Sequence, residues 1–449
     1  MNRSSTSGSR VRGCNAPLLA LIILCAVAST AQAGSPVSIR GDGASTLVAA
    51  DFNNDGATDL AVANAKGGRI AVFLREPRGG FPKKPSRVLR GGTGETHIGA
   101  WVLGAGDVNA DGKNDLILVD SLASSVSVFS GHGDGSFSAP TTLRTLALPS
   151  GVALGDFNGD RRVDLAVVSK GTSKVQIFLG NSEGQFNARG AFPVGSQPTS
   201  VVAEDFGSSS TEPKRDGKLD LAVTATGERE IVVLFGDGSG GFSPPSGFAA
   251  AGPTAIVAAD FNHDGIDDLV TINPQDNVIG INFGIGFGTR GNFQGIALGP
   301  RLEGSVHPTG MAAADFDGDG KPDLAIAVEA MTPERSGVFV LLNRLSPGKG
   351  WVEFDPPKFC LTRGAPMAIA VGDFRGAGAA TDLAVADKGT EGLSVFYGDG
   401  RGGLANCATP EHVGGSADDG QPVASRAVST YSEVALAVDE GDKGQGSSR

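Results

Sequence analysis

Asp315–Val328 reads DFDGDGKPDLAIAV. Acids stand at the first, third, fifth and ninth positions, a glycine at the sixth, and an apolar run follows at once. Taken alone, such a stretch fits a calcium loop, a fragment of an EF-hand, or an acidic turn before a strand. Its recurrence decides, because a fixed period of 20–50 residues or so marks a repeat architecture.

The stretch returns as DFNNDGATDLAVAN from Asp51, DVNADGKNDLILVD from Asp107, DFNGDRRVDLAVVS from Asp156 and DFNHDGIDDLVTIN from Asp260. Two altered copies complete the series: DFGSSSTEPKRDGKLDLAV from Asp205, which carries an insertion, and DFRGAGAATDLAVAD from Asp373. The leading aspartates lie 56, 49, 49, 55, 55 and 58 residues apart. Each unit opens with a strand of small residues, as in Thr254–Ala259 or Thr309–Ala314, before the acidic loop and the DLAVA-type strand. A third apolar strand follows, as in Val126–Phe129, Val175–Leu179 and Ile231–Phe235. A Gly-rich turn then reaches an aromatic, as in Gly80-Phe81, Gly184-Gln185-Phe186 and Gly241-Phe242, and a more polar fourth strand closes the unit.

Short apolar runs bounded by Gly and Asp, with no helical period, are strand signals. Four antiparallel strands repeated at this length predict an all-β fold, a β-propeller. Small residues in the first strand fit the crowded centre, and the turn aromatics are expected to pack between blades. Seven copies favour seven blades. An eighth, composite blade is the alternative: Pro36–Arg40 is a spare strand, and Gln421–Val438 resembles a degenerate half repeat without its acidic loop.

Residues 1–33 read as a secretory leader, with Arg3, Arg10 and Arg12, a short apolar core and Ala31-Gln32-Ala33 before an expected cut after Ala33. The core is short for a membrane span. The remaining 34–449 form one propeller domain, ending in a tail near 440–449 expected to be disordered. Cleavage takes the net charge from −12 to −15, which disfavours nucleic acid and anionic membranes and suits divalent cations. Such a chain is expected to be secreted, periplasmic or surface-bound. It retains Cys360 and Cys407, whose pairing sequence leaves open. Arg40-Gly41-Asp42 reads as a turn in so Gly- and Asp-rich a chain.

Calcium takes six to eight oxygen ligands. Alternate residues of a curled loop can supply them: Asp51, Asn53, Asp55, the Ala57 carbonyl and Asp59, or Asp107, Asn109, Asp111, the Lys113 carbonyl and Asp115. The same pattern gives Asp156, Asn158, Asp160, Arg162 and Asp164, then Asp260, Asn262, Asp264, Ile266 and Asp268, then Asp315, Asp317, Asp319, Lys321 and Asp323. Arg161 replaces the turn glycine in the third loop, so weaker binding is expected there. Asp205, Asp216 and Asp220 form a weaker set around the insertion, and the 373 loop, with Arg375 and Ala377, is expected to bind nothing. About four to five Ca²⁺ are therefore expected, with the sixth loop holding its ion most tightly. An EF-hand is excluded, because it needs a glutamate at position twelve between helices, where this chain has Val62 or Ile326 before a strand.

The D-x-[DN]-x-D-G-x-x-D-L loops and Gly-Phe turns resemble the FG-GAP/VCBS repeats of bacterial secreted proteins and the amino-terminal propeller of integrin α subunits. The resemblance implies calcium-stabilised blades and extracellular adhesion or binding of a protein or glycan. Alternatives are a polysaccharide-degrading propeller enzyme or a purely structural surface protein. Catalysis is not expected: His97, His132, His263, His307 and His412 are scattered, and the calcium reading already accounts for the paired carboxylates. The insertion at 208–215 and the segment Arg75–Lys84 are basic and are candidate contacts.

Overall fold

The computed structural model describes residues 46–413, apart from 66, 92–100, 208–214, 285–292, 298–305, 331–335, 345–351, 363, 377, 379, 389–391, 406 and 408–410. The leader at 1–33, the 36–40 strand, Arg40-Gly41-Asp42, the 421–438 half repeat and the tail lie outside the described residues, as does all of the 208–215 insertion except Arg215.

Seven four-stranded antiparallel sheets stand in a ring, each built from consecutive strands in sequence order. In the first blade these are Thr46–Ala50, Asp59–Asn64, Arg69–Phe73 and Arg87–Arg90, from centre to rim. The second strand of each blade is the DLAVA run, and its first six residues are buried without alternation in every blade. A strand sandwiched between two neighbouring blades has no solvent face, so it reads as a continuous apolar run. Central strands must be slim. A Cβ on Gly310 would stand 3.2 Å from the Ala368 Cα of the next blade.

The outer-turn aromatics pack between blades, as expected. Phe137 of the second blade meets Phe52 of the first (ring centroids 5.7 Å apart), and Phe242 of the fourth meets Phe157 of the third (5.8 Å). The same contact closes the ring: Phe81 of the first blade lies 5.6 Å from Phe374 of the seventh. There the Gly80 N–H donates to the Phe374 carbonyl at 3.0 Å, and Leu47, Phe73 and Ala384 share one core cluster. Direct contact of blades one and seven overturns the eight-blade alternative: no composite blade separates them. Cys360, on the outer strand Lys358–Leu361, bonds Cys407 of the seventh blade with a Cα–Cα separation of 4.9 Å, so the pairing that sequence left open joins two blades.

The end of the third strand carries a constraint that the sequence reading missed. A Cβ on Gly131, Gly180 or Gly236 would stand 2.2 Å from the carbonyl oxygen of Asn114, Val163 or Leu219 respectively. Each such carbonyl belongs to the residue just before the ninth-position aspartate of the same blade. Gly180→Ala is accordingly expected to cost roughly 1–3 kcal/mol, as overpacked sites do. Urea unfolding of the variant against the parent measures it.

Candidate metal centres

Each acidic loop joins the first strand of its blade to the second, at one end of the ring. Two left-handed residues curl it. Position six is Gly56 (φ 80°), Gly112 (80°), Gly265 (90°) and Gly320 (83°), with Arg161 (67°) adopting the same conformation in the third loop. Position four is also left-handed, at Asn54 (56°), Ala110 (59°), Gly159 (78°), His263 (55°) and Gly318 (78°), and sequence gave no single residue type to mark it. Glycine reaches this region without steric cost, and Asn tolerates it.

The first-position aspartate staples the loop. Its Oδ2 accepts the N–H of position six in all seven loops: at Asp51 2.8 Å, Asp107 2.8 Å, Asp156 2.6 Å, Asp205 2.7 Å, Asp260 2.9 Å, Asp315 2.8 Å and Asp373 3.1 Å. Positions three and five repeat the device two residues on. Asn53 Oδ1 accepts the Asp55 N–H (3.1 Å), and Asp55 Oδ1 accepts that of Ala57 (2.8 Å). Loop four keeps the pattern across its insertion, since the Asp216 and Gly217 amides donate to Asp205. Asp and Asn at these positions thus have a structural role of their own in closing the loop, so four acids in register argue for metal less directly than the spacing alone implies.

The aspartate that closes each loop, ninth in the five regular loops and displaced to Asp220 and Asp382 in the two altered ones, is the most buried member, with Asp59, Asp115, Asp164, Asp268, Asp323 and Asp382 at 0% exposure and Asp220 at 1%. Its Oδ2 accepts the N–H of position two, from Phe52 (2.9 Å), Val108 (3.0 Å), Phe157 (2.9 Å), Phe206 (2.9 Å), Phe261 (3.0 Å), Phe316 (2.9 Å) and Phe374 (3.0 Å). Its Oδ1 accepts an N–H from the end of the third strand, at Arg75 (2.7 Å), Gly131 (2.7 Å), Gly180 (2.8 Å), Gly236 (2.7 Å), Gly284 (2.8 Å), Asn343 (2.7 Å) and Gly398 (2.9 Å). One carboxylate thus ties the loop to the third strand.

Burial pushes these carboxyls up, to about 7 at Asp59, about 6 at Asp115, Asp164 and Asp323, and about 8 at Asp220 and Asp268. The two amide bonds oppose the shift, and the charges of neighbouring loop carboxylates add to it. Asp315, Asp317 and Asp323 each place a carboxylate oxygen within 4.8 Å of the others. In this loop the converging oxygens form a donor set that fits a hard divalent cation; among the described residues no other loop gathers three acidic side chains this closely.

The loops differ in what already neutralises them. Lys113 Nζ lies 3.3 Å from Asp111, Arg162 Nη1 3.1 Å from Asp160, Lys218 Nζ 3.3 Å from Asp216 and Lys321 Nζ 2.7 Å from Asp319. In the first and fifth loops position seven is the buried Ala57 or Ile266, and the side chain of Asn53 or Asn262 donates to the fifth-position acid instead. In the sixth loop Arg344 spans Asp317 (2.5 Å) and Asp355 (2.7 Å), so an ion there has a guanidinium to displace.

Comparison with known proteins agrees with this architecture. The profile described as FG-GAP-like repeat matches residues 51–117, 107–167, 156–208 and 214–271, and that described as FG-GAP repeat matches 252–291 and 307–330. Integrin alpha-3 of Mus musculus is 34% identical over 80 residues, which cover 16% of this chain and only 8% of that protein. The solved structure of BBS1N in complex with ARL6DN superposes with a TM-score of 0.51 at 11% identity, over 82% of this chain and 95% of that one. At that identity the likeness concerns the fold alone.

Two outcomes follow from the division of labour in the loop. Asp55→Asn should leave the melting temperature in EGTA nearly unchanged while reducing the shift that calcium produces. Asp59→Asn loses an acceptor for a buried amide and should cost roughly 1–3 kcal/mol in both conditions. The pH dependence is a separate check. A carboxyl whose pKa is raised in the fold stabilises it fully below the unfolded value near 4, and that contribution is lost as pH rises through the folded values of about 6 to 8. Chelated protein should therefore melt lower at about pH 8 than at about pH 5, and calcium, which favours the ionised form, should offset the loss at the higher pH.

Proposed function

This chain belongs to the FG-GAP repeat family, and on that basis we propose that it is an exported binding module whose loops hold structural calcium. The observation that carries the metal is the buried ninth-position carboxylate, surrounded by further carboxylates that disfavour its charge. A divalent ion reverses that penalty and ties the first strand to the second. Export is supported by the leader-like 1–33 segment and by the Cys360–Cys407 bond, which belongs in an oxidising compartment.

The ligand, a protein or glycan, is assigned to the face opposite the acidic loops, where the turns between second and third strands meet the links between blades. Two of the exposed large apolar side chains lie there: Leu122 (57% exposed), in the turn of the second blade, and Leu148 (43%), in the link to the third. A catalytic role has no comparable support, since His132, His263 and His307 are exposed and belong to three different blades. Among the described residues no helix is long and apolar enough to cross a membrane.

A protein and glycan array screened with roughly 1 mM calcium and with EGTA tests the reading. Calcium should raise the melting temperature, and Leu122→Ser and Leu148→Ser should each weaken whatever binding the array detects. Absence of binding under both conditions would favour the purely structural role, and a melt indifferent to calcium would refute the metal.

A further inference from the structure

We propose that the seventh loop, at the closure of the ring, is neutralised by the Arg375 guanidinium, with Arg75 of the next blade packed against its backbone, where the other loops are read to hold calcium, so that the closing blade is held without metal. The contrast with the other loops rests on the calcium reading above; the role of the guanidiniums does not.

Asp373 and Asp382 make the backbone bonds of their counterparts in other blades, but position three is Arg375. Arg375 Nη2 donates to Asp382 Oδ1 at 3.1 Å and to the Gly398 carbonyl, and its own backbone N–H donates to Asp382 Oδ2 at 3.1 Å. Its guanidinium carbon lies 5.0 Å from the centroid of the Tyr397 ring, which fixes the plane of the fork. Asp382 is wholly buried, and a buried carboxylate needs such a partner.

The second guanidinium comes from the next blade. Arg75 of blade one takes the third-strand position that glycine fills at Gly131, Gly180, Gly236, Gly284 and Gly398. Its side chain crosses the closure: a Cβ on Gly376 (φ 72°) would stand 2.5 Å from Arg75 Nη1. Arg375 gives buried Asp382 the opposite charge that a Ca²⁺ would otherwise supply, and Arg75 adds a second positive charge beside the loop backbone. The disulfide from Cys360 to Cys407 secures the same blade on its other side, so neither fastening yields to a chelator.

Hydrogen exchange resolved by peptide tests this. In the parent protein EGTA should raise exchange in segments 51–59, 107–115 and 260–268 and leave the amides of Phe374 and Gly398 unaltered. Arg375→Met should raise exchange at those two amides about tenfold in calcium and in EGTA alike. Arg375→Lys, which keeps the charge but not the fork, should fall between. Arg75→Met, further from the buried aspartate, should raise exchange near Gly376 and serves if Arg375→Met does not fold. The proposal is overturned if EGTA deprotects the seventh loop as it does the first, or if the Arg375 and Arg75 variants keep parental protection. If EGTA alters no loop, the calcium reading fails, and the arginine variants still decide the guanidinium role.

Discussion

A buried aspartate that accepts one amide from the loop before it and another from the third strand is the contact on which every blade depends. It spans three strands with a single side chain. Because both acceptors are spent on backbone N–H groups that have no ladder partner, its loss would leave two buried donors unsatisfied. This explains why the seventh loop keeps Asp382 although positions three and five have become Arg375 and Ala377. It also explains the glycine at the end of the third strand in five blades, where a Cβ would strike the carbonyl just before the aspartate.

The same contact creates the electrostatic problem that the loops solve in different ways. Burial disfavours the charge, and the first- and fifth-position carboxylates disfavour it further. Lysine or arginine at position seven screens four of the loops from the solvent side, Arg344 reaches into the sixth, and Arg375 bonds the buried aspartate itself in the seventh. The first and fifth loops have neutral residues at position seven; in the fifth, Arg215 of the preceding blade pairs with Asp267 at 2.7 Å, so the first loop has the least cationic compensation among the described residues. Exposed pairs of the position-seven kind contribute little and exchange easily for a divalent ion, whereas the pair on fully buried Asp382 does not.

Much of this was legible in the residues. The period from Asp51 to Asp373 predicted the blades, the DLAVA runs their second strands, and the Gly-Phe turns the packing of aromatics between blades. The spacing also assembled Asp205 with Asp216 across the insertion. Position four of the loop was not legible, because Asn54, Ala110, Gly159 and His263 share a backbone conformation and no side-chain chemistry. The latch glycine went unread although it stands sixteen residues beyond the ninth-position aspartate in five blades, as Gly131 does beyond Asp115.

By itself the sequence determined the repeating unit, since strand pattern, turn glycines and acidic spacing are local and each copy states them again. Only the tertiary structure decided how the units close. Blade number turns on whether Phe81 meets Phe374, nearly three hundred residues away, and that depends on the rotation accumulated from blade to blade. The pairing of Cys360 with Cys407 and the reach of Arg75 to the Gly376 loop are set in the same way. Such contacts join side chains whose proximity exists only once the ring is shut.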